Sequence, residues 1–231
     1  MREKELSRRL HAAFLLVREG RTVADIGTDH AYLPITLVKS GKTDFAYASD
    51  IGKGPLARAE ENIKKAGLNE KIKTVLTDGA AVFDTLADEF IIAGMGGELI
   101  FDIISRAPFM KNPDIHLVLQ PMTKVPALRR LLAENGFNIE KETLVSEDGK
   151  VYTLMSVYFD GKKRELTDYE AVVGDVENAD KELLMKILEG VIYDLDKKIK
   201  GKNAPEDVAL KEKIEALIKT KRFAQYTKCN E

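Results

Sequence analysis

Val23-Ala-Asp-Ile-Gly-Thr-Asp-His-Ala31 decides how this chain is read. Residues 22–26 form a short apolar run that stops at Gly27, and a run cut off by glycine and polar residues is how a buried strand leaves a sheet. A helix is expected directly after it, near residues 34–39. Working outward, the same unit recurs, with strands at 45–49, 72–77, 90–93 and 115–119 and helices at 55–66, 98–106 and 126–135. Pro55 suits a first helical turn, where its missing N–H needs no partner, and Gly67 suits the stop. Strands that are apolar throughout and alternate with helices predict a parallel sheet covered on both faces. Residues 137–145 and 150–159, parted by Glu147-Asp148-Gly149, predict a closing hairpin, which makes a mostly parallel seven-stranded α/β sheet.

Two segments lie outside that rhythm. Leu6, Leu10, Ala13, Phe14 and Val17 recur at helical spacing, so an amphipathic helix is expected over 4–18, with Arg2, Arg8, Arg9 and Arg18 on its other face. After Lys162-Lys163-Arg164 an apolar stripe runs from Tyr169 through Val176, Leu184, Leu188 and Leu195 to Ile199, which predicts one helix of about 30 residues, roughly 45–50 Å long. A break at 201–205 and a second stripe through Leu210, Ile214, Leu217 and Ile218 predict an antiparallel coiled-coil hairpin. The expected domains are 1–163 and 164–231.

Composition narrows the class. Hydrophobic residues at 44% supply a core, and charged residues at 32% fit a soluble protein. The apolar runs are far shorter than the roughly 20 residues a membrane helix needs. The charged start carries no apolar signal core, so a cytoplasmic location is expected. Cys229 is the single cysteine, and His11, His30 and His116 show no ligand spacing, so neither a disulfide nor a metal centre is expected. Net charge is −2, divided as +1 over residues 1–164 and −3 over 165–231, so an RNA partner has to be held by local basic patches.

The chemistry is expected at the carboxyl ends of the strands, where open parallel sheets bind ligands. Gly27 permits a tight turn and close backbone approach to a ligand. The G-x-G-x-x-G pattern of dinucleotide sites is absent, and Asp29 stands where a pyrophosphate needs N–H donors, so a cationic or zwitterionic ligand is the better match. Asp50 ends the second strand and can accept hydrogen bonds from ribose hydroxyls; Asp78, before Gly79, ends the third and can accept one from an adenine amino group. Acids at the ends of successive strands outline an adenosine without phosphate, and hence S-adenosylmethionine. Gly27, Thr28, His30, Asp50, Ile51, Asp78, Gly79, Ala93, Gly94 and Met95 are the candidate cofactor residues. Gln120 is a candidate reader of a base edge, with Arg8, Arg9, Lys124 and Arg129 as candidate phosphate contacts; helix caps, ordinary turns and solvated faces are the competing readings.

Ala24-Asp-Ile-Gly-Thr-Asp-His-Ala-Tyr-Leu-Pro34, Ala93-Gly-Met-Gly-Gly97, Leu119-Gln-Pro-Met122 and Leu128-Arg-Arg-Leu-Leu-Ala-Glu-Asn-Gly-Phe137 closely resemble the bacterial tRNA (adenine-22-N1)-methyltransferase family, over residues 5–160. The resemblance implies a Rossmann-like class I methyltransferase sheet, a C-terminal coiled coil, and transfer of a methyl group from S-adenosylmethionine to N1 of an adenine in the D-arm of tRNA. It departs from the wider superfamily where the later glycines of the first loop are Asp29 and Ala31, and where Gly94-Met-Gly-Gly97 replaces the Asn/Asp-Pro-Pro-Tyr/Phe motif of exocyclic-amine enzymes. Asp29 is the expected catalytic residue, acting on the cation that forms on the target base; the rival role is binding the amino or sulfonium group of the cofactor. A monomer or weak homodimer, free of membrane and metal, is expected. Two alternatives remain: a related methyltransferase acting on another RNA or a protein, which binds cofactor without methylating tRNA, and a non-catalytic RNA-binding scaffold, which does not bind cofactor.

Overall fold

A computed structural model describes residues 6–175, 179–202 and 204–228; Arg2, the first positions of the expected N-terminal helix, Val176 and Cys229 lie outside them. The chain divides into two compact units, residues 1–165 and 166–231.

The first unit is built on one seven-stranded sheet of order β3-β2-β1-β4-β5-β7-β6. Strands β1 (Val23–Ile26), β2 (Ala46–Asp50), β3 (Ile72–Leu76), β4 (Glu89–Gly96) and β5 (His116–Thr123) are parallel to one another, and the hairpin of β6 (Phe137–Glu147) and β7 (Lys150–Phe159) closes the edge antiparallel. Alternation along each strand separates two cores. Ala24, Ile26, Phe90, Ile92, Leu117 and Leu119 pack on one side with α4 (Gly97–Ser105) and α5 (Val125–Glu134). Val23, Ile91, Val118 and Leu154 pack on the other with α1 (Arg8–Leu16), α2 (Tyr32–Lys39) and α3 (Lys53–Ala66). The sheet order reverses direction at β1, so the loops after β1 and β4 leave the sheet side by side.

Helix α1 starts later than the apolar spacing predicts, because Ser7 caps it, its hydroxyl accepting from the Leu10 amide. Glu147, at the end of β6, also sits at this N-terminus and accepts from the Arg9 amide at 2.8 Å. At the other end Arg18 donates through Nε to the buried Glu89 carboxylate at 2.9 Å. Glu89 in turn faces His116 Nδ1 at 2.6 Å, and His116 Nε2 reaches the Ser156 hydroxyl at 2.7 Å. A short helix of marginal intrinsic stability is thus clamped at both ends.

The second unit corrects the expectation of a single helix from Tyr169 to Ile199. Thr167 and Glu170 form a capping box that starts α6 (Asp168–Val173), and Gly174 at φ 67° ends it. Asp180 caps a separate α7 (Lys181–Gly201), so the apolar stripe is divided between two helices. Pro205 opens α8 (Pro205–Lys228), and Lys211 Nζ bridges back to Asp196 at 2.7 Å, which fixes the α7–α8 pair as an antiparallel hairpin. Leu184, Leu188 and Leu195 of α7 are buried, as are Ile214 and Ile218 of α8. No helix among the described residues is long and apolar enough to cross a membrane.

Gly97 is fixed by packing. A Cβ there would lie 2.7 Å from the Lys124 carbonyl oxygen and 3.0 Å from Leu128 Cβ, both rigid parts of the α4–α5 contact. Gly97→Ala is expected to destabilise the protein by about 1–3 kcal/mol, read as a lowered urea midpoint with unchanged slope.

Candidate active site

The site forms along the carboxyl rim of the parallel strands. Gly27 leaves β1 at φ 79°, its amide and that of Thr28 both bonded to the Ser49 carbonyl at 2.8 Å. The Met95 methyl lies over this turn, 2.3 Å from where a Gly27 Cβ would be. Asp29 and Ala31 follow at φ 47° and 56°, and two positive-φ non-glycine residues flanking His30 are a strain that functional loops retain. Met95 of β4 therefore lies against the β1 loop, and the two glycine-bearing loops form one surface.

Most of the candidates read from sequence come together here. Asp50 ends β2 and accepts from the Gly52 amide at 2.7 Å. Ile51 beside it is 71% exposed, a large apolar side chain held out at the rim. Asp78, beyond β3, faces Arg106 at 3.0 Å, and Gly79 is buried next to it. Asp29 is exposed, with Arg58 Nη2 at 2.8 Å and His30 Nε2 at 3.4 Å. His30 stacks on Tyr32 at 5.1 Å, and its carbonyl accepts from Asn62. Thr28 faces inward instead, its hydroxyl donating to Asp25 at 2.7 Å. Ala93, Gly94 and Met95 line the end of β4, with Gly94 exposed at φ 82°. No cluster of three or more potential metal ligands occurs among the described residues.

Two of the substrate contacts expected from sequence are corrected. The Arg129 guanidinium is buried and bidentate to Glu142 on β6, with Nε at 2.7 Å and Nη2 at 3.1 Å, so it is a core ion pair and not a phosphate contact. Gln120 is fully buried; its oxygen accepts from Arg9 Nη1 at 2.6 Å and from the Gly94 amide at 3.1 Å, and its nitrogen donates to the Pro121 carbonyl at 2.9 Å. No edge of that amide is left to read a base. Arg8 and Lys124 are exposed, and Arg9 is partly so.

Asp25 is the residue that sequence reasoning passed over. It lies at the end of β1, buried, and its carboxyl is pushed up to about 6 by that burial; the Thr28 hydrogen bond opposes the shift and the charge of Asp50 adds to it. An acid inside an otherwise apolar strand was the available signal, since a carboxylate kept where its charge is costly marks a functional position. The adjacent carboxylates also make the chemistry of the site legible: they favour a ligand that brings positive charge, and the exposed Ile51 between Asp50 and Asp78 offers an apolar surface to a flat base.

A sheet of this order with acids at successive strand ends defines a Rossmann-like methyltransferase, and residues 6–155 match the methyltransferase domain family. The chain is 36% identical over 156 residues to the tRNA (adenine(22)-N(1))-methyltransferase of Bacillus subtilis, a match spanning 67% of this chain and 66% of that protein. Among solved structures, a Streptococcus pneumoniae protein described as a putative tRNA (m1A22) methyltransferase superposes with a TM-score of 0.79 at 31% identity, covering 94% of this chain and 99% of that one. M. capricolum TrmK in complex with S-adenosyl-homocysteine gives a TM-score of 0.71 at 30% identity, covering 96% and 98%. The chain belongs to the TrmK-like tRNA (adenine-22-N1)-methyltransferase family.

The raised Asp25 carboxyl sets a pH dependence. Folded Asp25 holds its proton up to about pH 6 against an ordinary value of 3.8, so stability falls as pH rises between those values and the cost is complete above them. That cost is on the order of 3 kcal/mol. Asp25→Asn is expected to melt no lower than the parent at pH 7.5 and to flatten the pH dependence of melting between pH 4 and 6, while S-adenosylmethionine affinity falls about tenfold through loss of a charge partner. Calorimetric titration and melts across that range check both parts.

Proposed function

We propose that this protein transfers the methyl group of S-adenosylmethionine to N1 of adenine 22 in the D-arm of tRNA. The observation that carries this reading is the identity with the Bacillus subtilis enzyme, which spans two thirds of the chain and accompanies a rim built for a cationic adenosine. S-adenosylmethionine supplies, when bound, a methyl group made electrophilic by a sulfonium centre. The residues present fit it: Asp50 accepts from the ribose hydroxyls, Asp78 from the adenine amino group, Ile51 packs on the ring, and Asp25 with Asp50 offsets positive charge. Gly27, Thr28, His30, Gly79, Ala93, Gly94 and Met95 shape the remaining wall.

Adenine N1 carries an in-plane lone pair, so the protein needs to align the base and exclude water; no covalent intermediate on the enzyme is required. N1 lies on the Watson–Crick edge, and the base therefore enters unpaired. Methylation leaves positive charge on the ring and acidifies the N6 amino group. Asp29 is the group placed to meet that charge. Its bond to Arg58 is between exposed side chains and is weak enough to exchange when a base arrives. Arg8, Arg9 and Lys124 provide local cations for the backbone of the RNA. Residues 1–163 form the methyltransferase domain and 164–231 a helical domain that adds grip on tRNA, in a monomer or weak homodimer of the cytoplasm.

Incubation with S-adenosylmethionine and unmodified tRNA transcripts, followed by nucleoside mass spectrometry and position mapping, is expected to give 1-methyladenosine at position 22. Cofactor binding without tRNA methylation would move the substrate elsewhere. Asp29→Ala is expected to lower kcat at least a hundredfold with cofactor affinity within threefold; a fall in affinity without loss of kcat assigns Asp29 to the cofactor instead.

A further inference from the structure

The bulge at the end of β4 joins the wall of the proposed cofactor site to the N-terminal helix. Ala93 pairs with Gln120 and Met95 with Pro121, so Gly94 is an extra residue whose amide has no place in the ladder. The Gln120 side chain takes that amide, and the same oxygen takes Arg9 Nη1. Arg9 is in the first turn of α1, and its Cζ stands 5.9 Å from the Tyr152 ring centre, with Nε 3.8 Å from Glu147. Its guanidinium also passes 3.7 Å from where a Gly94 Cβ would be. The arginine is thereby fixed beside the exposed glycine of the bulge, with 22% of its side chain still open to solvent.

We propose that Gln120 is a positioning residue for tRNA. Its one buried oxygen sets the bulge and Arg9 at a fixed separation, and Arg9 then contacts a phosphate next to the target adenosine. The acceptor is a neutral amide, so it orients the guanidinium without cancelling its charge, as a carboxylate in that place would. Glu147 serves chiefly the start of α1: although partial burial acts the other way, bonds from the Arg9 amide and the Ser7 hydroxyl, the charge of the Arg9 guanidinium 3.8 Å away, and the Arg8 amide hold its carboxyl below the ordinary value. Helix α1 is a mount for Arg9, anchored at one end by Glu147 and at the other by the Arg18–Glu89 pair. This inference rests on tRNA being the substrate.

The test compares Arg9→Ala, Gln120→Met and the double variant. Each single variant is expected to raise KM for tRNA about tenfold, and Arg9→Ala to reduce the slope of log affinity against log salt by about one. Gln120→Met on the Arg9→Ala background is expected to change KM less than twofold, because the two act as one unit. S-adenosylmethionine affinity, measured by calorimetry, should stay within threefold and reports folding. If Gln120→Met loses cofactor binding, Gln120→Asn, which withdraws the amide by one methylene, gives the same comparison. An unchanged salt slope for Arg9→Ala, or full additivity in the double variant, overturns the proposal while wild-type methylation of tRNA stands. A wild-type protein that binds cofactor and methylates no tRNA overturns both readings.

Discussion

A parallel sheet covered on both faces has only its two rims on which to place polar groups, and this constraint organises the first unit. Strands β1, β2 and β5 and the first half of β4 are largely buried, so side-chain chemistry collects where the strands begin and where they end. At the amino rim the groups satisfy one another. Glu89, His116 and Ser156 are buried and bonded in series, with Arg18 closing the chain and adding bonds to the Asp88 and Asp114 carbonyls. Removing any member of such a series strands a buried polar or charged partner, which is how a network becomes structural. At the carboxyl rim the ion pairs are exposed instead, Asp29 with Arg58 and Asp78 with Arg106. Asp25 is buried at a cost, Asp29 and Ala31 sit at strained dihedrals, and Ile51 is exposed. The same sheet physics yields a clamp at one rim and a site at the other.

The strands were legible because each is a short apolar run ended by a polar or glycine-containing turn, and the hairpin because Asp148-Gly149 parts two such runs. The second unit was less legible. A continuous apolar stripe specifies which face is buried but not whether the backbone is continuous, and two helices can share what looks like one stripe. The break was nevertheless written locally: Thr167-Asp-Tyr-Glu170 is a capping box and Gly174 follows one short helix later. Spacing outweighed capping in the reading, and capping was the better guide.

Arg129 and Gln120 show why site residues are harder to read than elements. Arg129 stands next to Leu128 on α5, and only the approach of β6 makes that position interior; its partner Glu142 is 13 residues away. Gln120 looked like a base reader because it ends a strand at the right rim, and that placement is correct. What the sequence does not display is the β4 bulge, whose orphan amide claims the side chain. Both differences come from partners fixed by tertiary packing, whereas the position of Asp50, Asp78 and Gly94 at the carboxyl rim follows from the strand ends alone.

The acids of the rim also constrain how RNA approaches. In the proposed site Asp25, Asp29, Asp50 and Asp78 would suit a cofactor with positive charge, yet the part of their field that Arg58 and Arg106 do not balance repels a phosphate backbone. With a net charge of −2 the chain has no general attraction to offset that repulsion. An extended backbone cannot lie across the acid rim, so the target nucleotide has to be delivered into it while its phosphates remain outside. Cations then have to stand at the margin, on a rigid element, and within reach of the base site. Helix α1 meets those conditions: Arg8 is exposed on it, Arg9 is tied to the Gly94 bulge, and both ends are bonded to the sheet. Separating a negative cofactor site from a positive margin over one helix length lets one small domain accept a cationic donor and a polyanionic substrate together.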